Sequence, residues 1–384
     1  MKILYFHQHF KTPSDGGSIR SYLLALEMVK KGHQVTMITA HNGQKITKNI
    51  NGIETVYLHV SYDNTYKFWR RVTSFLQYSI LACIESTKVD KIDYCYVMTT
   101  PLTTGLIGLF NKYFYKRPYF FEVGDLWPLV PVEMKFINAR LLKKFTFWLE
   151  KLFYQNSIGN IGMSPPITKY ITQVAPTVPA ETIYNISDCE FFQPSISEPD
   201  SKEFVICYTG TFGLANDLSR IIQIASEIQH LPIRFILIGA GADKPKIEGQ
   251  VTDLGLSNVE IRDFEDKNGV AKVLNQADAM FISFANYDSL FTGSPNKLYD
   301  ALAAGKLIIT NFEGWIGELI TTEKCGFHFI HNQSQSLVEN IQPFLDKALL
   351  LNEYQQNARR LAETRFDLKI QSKKLLDFLD QQTS

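Results

Sequence analysis

Along the first forty residues the hydrophobic pattern changes period twice. Ile3–Phe6 is a short unbroken apolar run. After Thr12-Pro13-Ser14-Asp15-Gly16-Gly17, apolar residues recur every three or four positions from Ser18 to Lys31, and Gly32 ends that stretch before a second strand candidate, His33–Thr39. An apolar strand, a glycine loop, a 3.6-residue period stopped by glycine and a second strand together predict a βαβ unit of a parallel sheet. Ile92–Met98 and Tyr119–Val123 continue the series, with Pro118 at a strand start, where its missing N–H is tolerated.

The same pattern then restarts. Phe204–Tyr208 predicts a strand, Thr209–Gly213 a loop and Leu218–Ile228 a helix. Ile233–Ile238, running into Gly239-Ala240-Gly241, then Val259–Arg262, Ala279–Phe284 and Leu307–Thr310 predict further strands, and helical periods cover Ser336–Leu349, Glu353–Thr364 and Leu368–Gln381. The restart after Ile183–Pro194 places a domain boundary there. The proline and charges of Ser195–Lys202 suit a linker. The expected fold class is α/β, with two parallel-sheet domains that leave a cleft outside the carboxyl ends of their strands.

At 384 residues the chain exceeds one comfortable core, which agrees with two domains. Lys plus Arg and Asp plus Glu both number 39, so the formal charge is zero, which argues against a nucleic-acid partner. The cysteines, Cys83, Cys95, Cys189, Cys207 and Cys325, form no CxxC pair, which indicates neither a zinc site nor a disulfide framework and fits a reducing cytoplasm. No run of about 18 apolar residues is present to cross a membrane. Walker A, HExxH and GxSxG patterns are absent as well, leaving ATPase, zinc protease and α/β-hydrolase readings without their parts.

Gly16-Gly17, between a strand and a helix N-terminus, offers backbone N–H groups to an anion, with Arg20 three residues on. The plainer reading is a tight βα turn, and the spacing is not the GxGxxG of a conventional NAD site. In the second half, Tyr208–Gly213, Gly239-Ala240-Gly241 with Lys244, and Thr292–Lys297 converge as strand-end loops. Ser294 is expected as a helix cap with Pro295 first in the helix, so that Lys297 and Asp300 share a face. A phosphate beside Lys297 and a ribose diol on Asp300 fit that arrangement; a solvated surface pair is the alternative.

Six phrases carry a resemblance almost from end to end: "GGSIRSYLLALEMVKKGHQVTMIT", "RPYFFEVGDLWP", "ETIYNISDCEFFQP", "YTGTFG", "LIGAGADKPKIEGQVTDLGLSNVEI" and "SPNKLYDALAAGKLIIT". In them the chain resembles the family-four retaining glycosyltransferases, which face two Rossmann-like domains across a cleft (the GT-B type). The resemblance implies domains of 1–186 plus 366–384 on the acceptor side and 187–365 on the nucleotide-sugar side. It implies transfer of a sugar from a nucleotide diphosphate, UDP above all, without a metal or other cofactor. Gly16, Gly17, Arg20, Thr209, Gly210, Thr211, Gly239, Lys244, Phe264, Thr292, Gly293, Ser294, Asn296, Lys297 and Asp300 are then the donor-binding candidates. Asp125 and Glu122 of "EVGDLWP" are the catalytic ones, with Asp125 as a helix cap the alternative.

The family's paired glutamates fall on Thr292 and Asp300, and its donor-loop Arg and Lys on Thr211 and Asn216. Lys297, then Lys244, is therefore the expected substitute cation. The "SPxK" phrase is similar to that of bacterial surface-polysaccharide enzymes handling deoxy or N-acetylated sugars, with lipid-linked or glycan acceptors. Two basic, aromatic stretches, Tyr66–Tyr78 and Lys135–Lys151, suit an anionic membrane surface, the inner face of the plasma membrane; ordinary packing within the domain is the other reading. A UDP-sugar 2-epimerase and a non-catalytic nucleotide-sugar-binding subunit are the competing functions.

Overall fold

A computed structural model describes residues 1–63, 65–194, 203–330 and 333–383; the expected linker, 195–202, lies outside them. The first sheet contains β1 (Lys2–Phe6), β2 (Gln34–His41), β3 (Ile46–Ile50), β4 (Ile53–His59), β5 (Tyr94–Met98), β6 (Tyr119–Val123), β7 (Gly159–Gly162) and β8 (Ala180–Thr182), in the order 3-4-2-1-5-6-7-8. The second contains β9 (Phe204–Thr211), β10 (Ile233–Ala240), β11 (Val259–Arg262), β12 (Ala279–Ile282), β13 (Leu307–Thr310) and β14 (Gly326–His328), in the order 11-10-9-12-13-14. All pairs are parallel except β3 with β4.

Helices cover both faces of each sheet. They are α1 (Arg20–Lys30), α2 (Phe68–Ser86), α3 (Gly105–Tyr115), α4 (Leu129–Glu133), α5 (Arg140–Asn156) and α6 (Pro165–Val174) in the first half. The second half has α7 (Leu218–Glu227), α8 (Lys244–Asp253), α9 (Lys267–Gln276), α10 (Asn296–Ala303), α11 (Gly314–Thr322), α12 (Ser334–Asp346), α13 (Ala348–Leu361) and α14 (Leu368–Thr383). Two-sided covering explains the unbroken apolar strands. Ile3 and Tyr5 of β1 enter the core on one face, Leu4 and Phe6 the core on the other. In β13, Leu307 and Ile309 part from Ile308 in the same way.

The β3–β4 hairpin has no counterpart in the expected strands. Ile46–Asn49 is exposed, so β3 carries no buried-strand signature. The available signal was its turn: Asn51 (φ 52°) and Gly52 (φ 89°) both take the left-handed conformation that Asn-Gly favours in two-residue hairpins.

The chain crosses between the sheets twice, side by side. Outbound it runs through Tyr184–Asp188; it returns at Phe366–Asp367, where Ser187 N donates to Phe366 O at 2.9 Å. Tyr184 N donates to Gln371 Oε1 at 2.9 Å, pinning the start of α14 to the outbound strand. Leu375, Phe378 and Leu379 of α14 then join the core of the first sheet, the Phe378 ring 6.1 Å from that of Phe120.

Removing a buried aromatic leaves a cavity as well as losing its transfer energy. Phe378→Ala should therefore lower unfolding stability by about 3–5 kcal/mol in urea titrations. An Ile46→Thr control on the exposed edge strand should stay within about 0.5 kcal/mol, and equal effects would show that α14 does not seal this core.

Candidate functional site

In each sheet the chain runs outward to one edge and then returns to the far side of its first strand: β5 beside β1, and β12 beside β9. Such switch points open a crevice at the strand carboxyl ends. Here the two crevices face each other and share a cavity of about 880 Å³. Glycines keep its second-sheet wall bare. A Cβ on Gly239 (φ +155°) would fall 1.8 Å from Gly210 O, its register partner, so nothing but hydrogen fits between the ends of β9 and β10. Across the cavity, a Cβ on Gly16 (φ +67°) would sit 2.6 Å from the Phe264 ring, so the two walls touch there.

Helix α10 aims its first turn at this space, and first-turn N–H groups have no partner within their own helix. Lys297 Nζ lies 3.8 Å from the Tyr208 ring centroid and 3.5 Å from Asn216 Oδ1, with no carboxylate in ion-pair distance among the described residues. Burial lowers its pKa to about 7. Burial likewise raises Asp300 to about 7, against the opposing pull of Lys267. Lys267 is itself bonded to Asp188 of the outbound crossing. Lys297, with no carboxylate partner among the described residues, thus stands one helical turn from a carboxyl group whose pKa burial raises. The ammonium suits a doubly charged anion, and Asp300 suits a diol.

Gly16, Gly17, Arg20, Thr209, Gly210, Thr211, Gly239, Phe264, Asn296, Lys297 and Asp300 all line the cavity. Several other candidates do not. Ser294 is no helix cap: α10 begins at Asn296 after Pro295, and the Ser294 hydroxyl turns inward to Tyr299 Oη at 2.7 Å. With Thr292 and Gly293, it forms the turn behind the cavity wall. Lys244 is occupied at the end of β11, bonded to the Asp263 carboxylate and, at 3.3 Å, to Arg262 O.

Arg20 and Glu122 change character most. They form an ion pair of 2.7 Å with both side chains buried, Tyr96 Oη also donating to Glu122. The guanidinium donates besides to Ile183 O at 3.0 Å and to Tyr184 O. Arg20 therefore reaches the wall with its charge already balanced, and Glu122 lies behind it, without surface in the cavity. Asp125 is exposed beside Thr100, whose Oγ1 donates to it at 3.3 Å. Although water reaches the carboxyl, desolvation by surrounding protein outweighs that hydrogen bond and raises its pKa.

Sequence reasoning passed over Gln8, His9, Asn42, Tyr62 and Asn185, which also line the cavity. The His9 ring is 4.6 Å from Tyr62, and burial lowers its pKa to about 4, so it is neutral at pH 7 and keeps a lone pair. Its signal was position: a histidine three residues past the end of the first strand of a parallel sheet.

Residues 190–361 match the family of glycosyl transferases group 1. WcaI of Escherichia coli (strain K12), named for a glycosyl transferase role in colanic acid biosynthesis, is 24% identical over 183 residues, 47% of this chain and 44% of WcaI. That match spans less than half of the relative. Sucrose-phosphate synthase from Thermosynechococcus elongatus superposes with a TM-score of 0.77 at 16% identity, over 99% of this chain and 98% of that one. HepE of Anabaena, solved in complex with UDP and glucose, gives 0.72 at 15% over 99% of each chain. WaaG, a glycosyltransferase involved in lipopolysaccharide biosynthesis, gives 0.64 at 15% over 98% and 99%. The fold is therefore GT-B, two Rossmann-like domains facing each other. Within it the segment matched by that family supplies Lys297 and Asp300, and the first sheet supplies the opposite wall.

A lysine with a depressed folded pKa binds fewer protons than in the unfolded chain between about pH 7 and 10, so the penalty it imposes is greatest at and below pH 7. Lys297→Met should consequently raise the thermal midpoint at pH 7, and the gain should shrink towards pH 10. A gain that grows with pH would contradict this environment for the ammonium.

Proposed function

We propose that this chain is a retaining glycosyltransferase that moves a sugar from a UDP-linked donor to a lipid-linked or glycan acceptor during assembly of a bacterial surface polysaccharide. The observation that carries the reading is Lys297, a cavity-facing ammonium with no carboxylate partner among the described residues, at the start of α10 and one turn from Asp300. A diphosphate leaving group builds negative charge as the glycosidic bond breaks, and a half-buried cation aided by helix N–H groups stabilises it without a metal. Asp300, once ionised, accepts the ribose hydroxyls. The neutral His9 accepts a hydrogen bond from an acceptor hydroxyl, and Asp125, exposed and outside the cavity lining, contacts the acceptor or donor sugar. Retention follows if the acceptor hydroxyl is held on the face that the diphosphate leaves.

Several findings support the reading: the group 1 domain, the solved complexes of HepE with UDP and with UDP-glucose, and the name of WcaI. The "SPNK" phrase favours a deoxy or N-acetylated sugar. The acceptor-side domain is 1–186 with the returning helix from 366, and the donor-side domain 187–365.

The acceptor's lipid would be met at a membrane. Among the described residues no helix is long and apolar enough to cross one. Helices α2, α3 and α5 pack in sequence and leave Trp69, Ile80, Phe114, Leu141, Phe145 and Trp148 more than half exposed among Arg70, Arg71, Lys143 and Lys144. An anionic bilayer fits that surface.

Incubation with a panel of UDP-sugars and a lipid-pyrophosphate-linked sugar should yield a new linkage of retained anomeric configuration. Epimerised free sugar, or donor binding without transfer, would overturn the proposal in favour of an epimerase or a binding subunit. Lys297→Met should lower kcat/KM by about 100-fold or more, as loss of one charge-stabilising donor does. For the membrane, a Trp69→Ser, Phe114→Ser, Trp148→Ser triple variant should lose co-sedimentation with phosphatidylglycerol vesicles that the wild type shows at low salt. Equal sedimentation of both proteins would refute that face.

A further inference from the structure

Thr292, Gly293 and Ser294 precede α10, and each of their three consecutive carbonyls accepts a hydrogen bond from a distant side chain. Ser164 Oγ donates to Thr292 O at 2.6 Å, Trp315 Nε1 to Gly293 O at 2.9 Å and Asn185 Nδ2 to Ser294 O at 2.6 Å. The donors come from three places: the loop before α6 in the first domain, α11 in the second, and the outbound crossing. Ser164 and Asn185 are buried, at 0% and 1% exposure, so water does not compete for these carbonyls. A fourth tether lies one turn earlier, where Ser289 N donates to Glu133 Oε2 of α4 at 3.0 Å. Neither Ser164 nor Glu133 lines the cavity.

The turn that aims Lys297 and Asp300 is thus fastened largely by groups outside its own sheet. We infer that Ser164 is a positioning residue: it ties the turn before α10 to the first domain, so that the donor anchors reach their places only when the two domains are closed on each other. This rests on the donor reading of Lys297 and Asp300. It assigns the Thr292 position, where the family's pattern has a glutamate, to closure: its carbonyl meets Ser164, and its hydroxyl donates back to Ser289 O at 2.7 Å.

Ser164 performs two tasks with one hydroxyl. Its lone pair caps α6, accepting from Ile167 N at 3.3 Å, while its proton goes to Thr292 O. Substitution can part them, because a carboxylate accepts but does not donate. Ser164→Asp keeps a good cap and sets an anionic oxygen against the Thr292 carbonyl. Ser164→Ala loses both tasks, and Ser164→Thr keeps both. Glu133→Ala removes the neighbouring tether without touching α6.

The test uses the full chain, with hydrogen exchange of the amides in 289–298, thermal midpoints and UDP binding by calorimetry. Exchange across 289–298 should rise about tenfold in Ser164→Asp, Ser164→Ala and Glu133→Ala. UDP affinity should fall about tenfold in the Ser164 variants, while Ser164→Thr stays near the wild type. Both Ser164→Ala and Ser164→Asp should lower the thermal midpoint, the first by losing the cap and the second by burying an anionic oxygen against a carbonyl. Wild-type exchange over 289–298 in Ser164→Ala and Glu133→Ala would overturn the inference. A wild type that binds no UDP would sink the donor reading alone, with the exchange data still deciding whether Ser164 holds the turn.

Discussion

The Arg20–Glu122 ion pair sets the geometry on which the cavity depends. It joins the first turn of α1 to the carboxyl end of β6, and the remaining guanidinium donors take Ile183 O and Tyr184 O. One side chain therefore fixes the path of the outbound crossing against the first sheet. Asn185 and Asp188 follow within four residues. Through them the crossing holds Ser294 O and positions Lys267. Breaking such a pair by removing one partner strands a buried charge, which typically costs about 3–5 kcal/mol. Its place beneath the site makes it a structural commitment rather than a reactive group, and the crossing owes its direction to it.

The second domain shows the opposite economy. Lys297 and Asp300 are half-buried, with contacts too weak to offset their desolvation, and both are pushed towards neutrality. Groups left in this condition lower the stability of the empty protein and gain most when a complementary ligand arrives. The contrast between a satisfied pair behind one wall and unsatisfied groups in the other gives the cavity its polarity.

How far the chain could be read from its letters follows from the range of each signal. Leu307–Thr310 is a nearly continuous apolar run and Val259–Arg262 alternates apolar with charged residues, and the bounds of both are those of the structure. The hairpin of β3 escaped because its edge strand is polar, although Asn51-Gly52 marked its turn. Lys297 and Asp300 were legible because a helix period and a strand-end loop are local. Arg20, Glu122 and Lys244 were not. Arg20 and Glu122 are 102 residues apart, and nothing near either says that the other neutralises it. His9, Asn42 and Asn185 are ordinary polar residues until the sheet order gathers them at one mouth.

The returning helix has a meaning in time as well as in space. Leu375, Phe378 and Leu379 complete the core over the first sheet, yet α14 follows the whole second sheet in the chain. On a ribosome adding about 5–20 residues per second, the first eight strands would wait roughly ten to forty seconds for the segment that covers them. During that interval an apolar face bordered by Phe120 and Ile161 stands open. The emerging protein would then need a chaperone, or a provisional collapse, to keep that face from meeting another nascent chain.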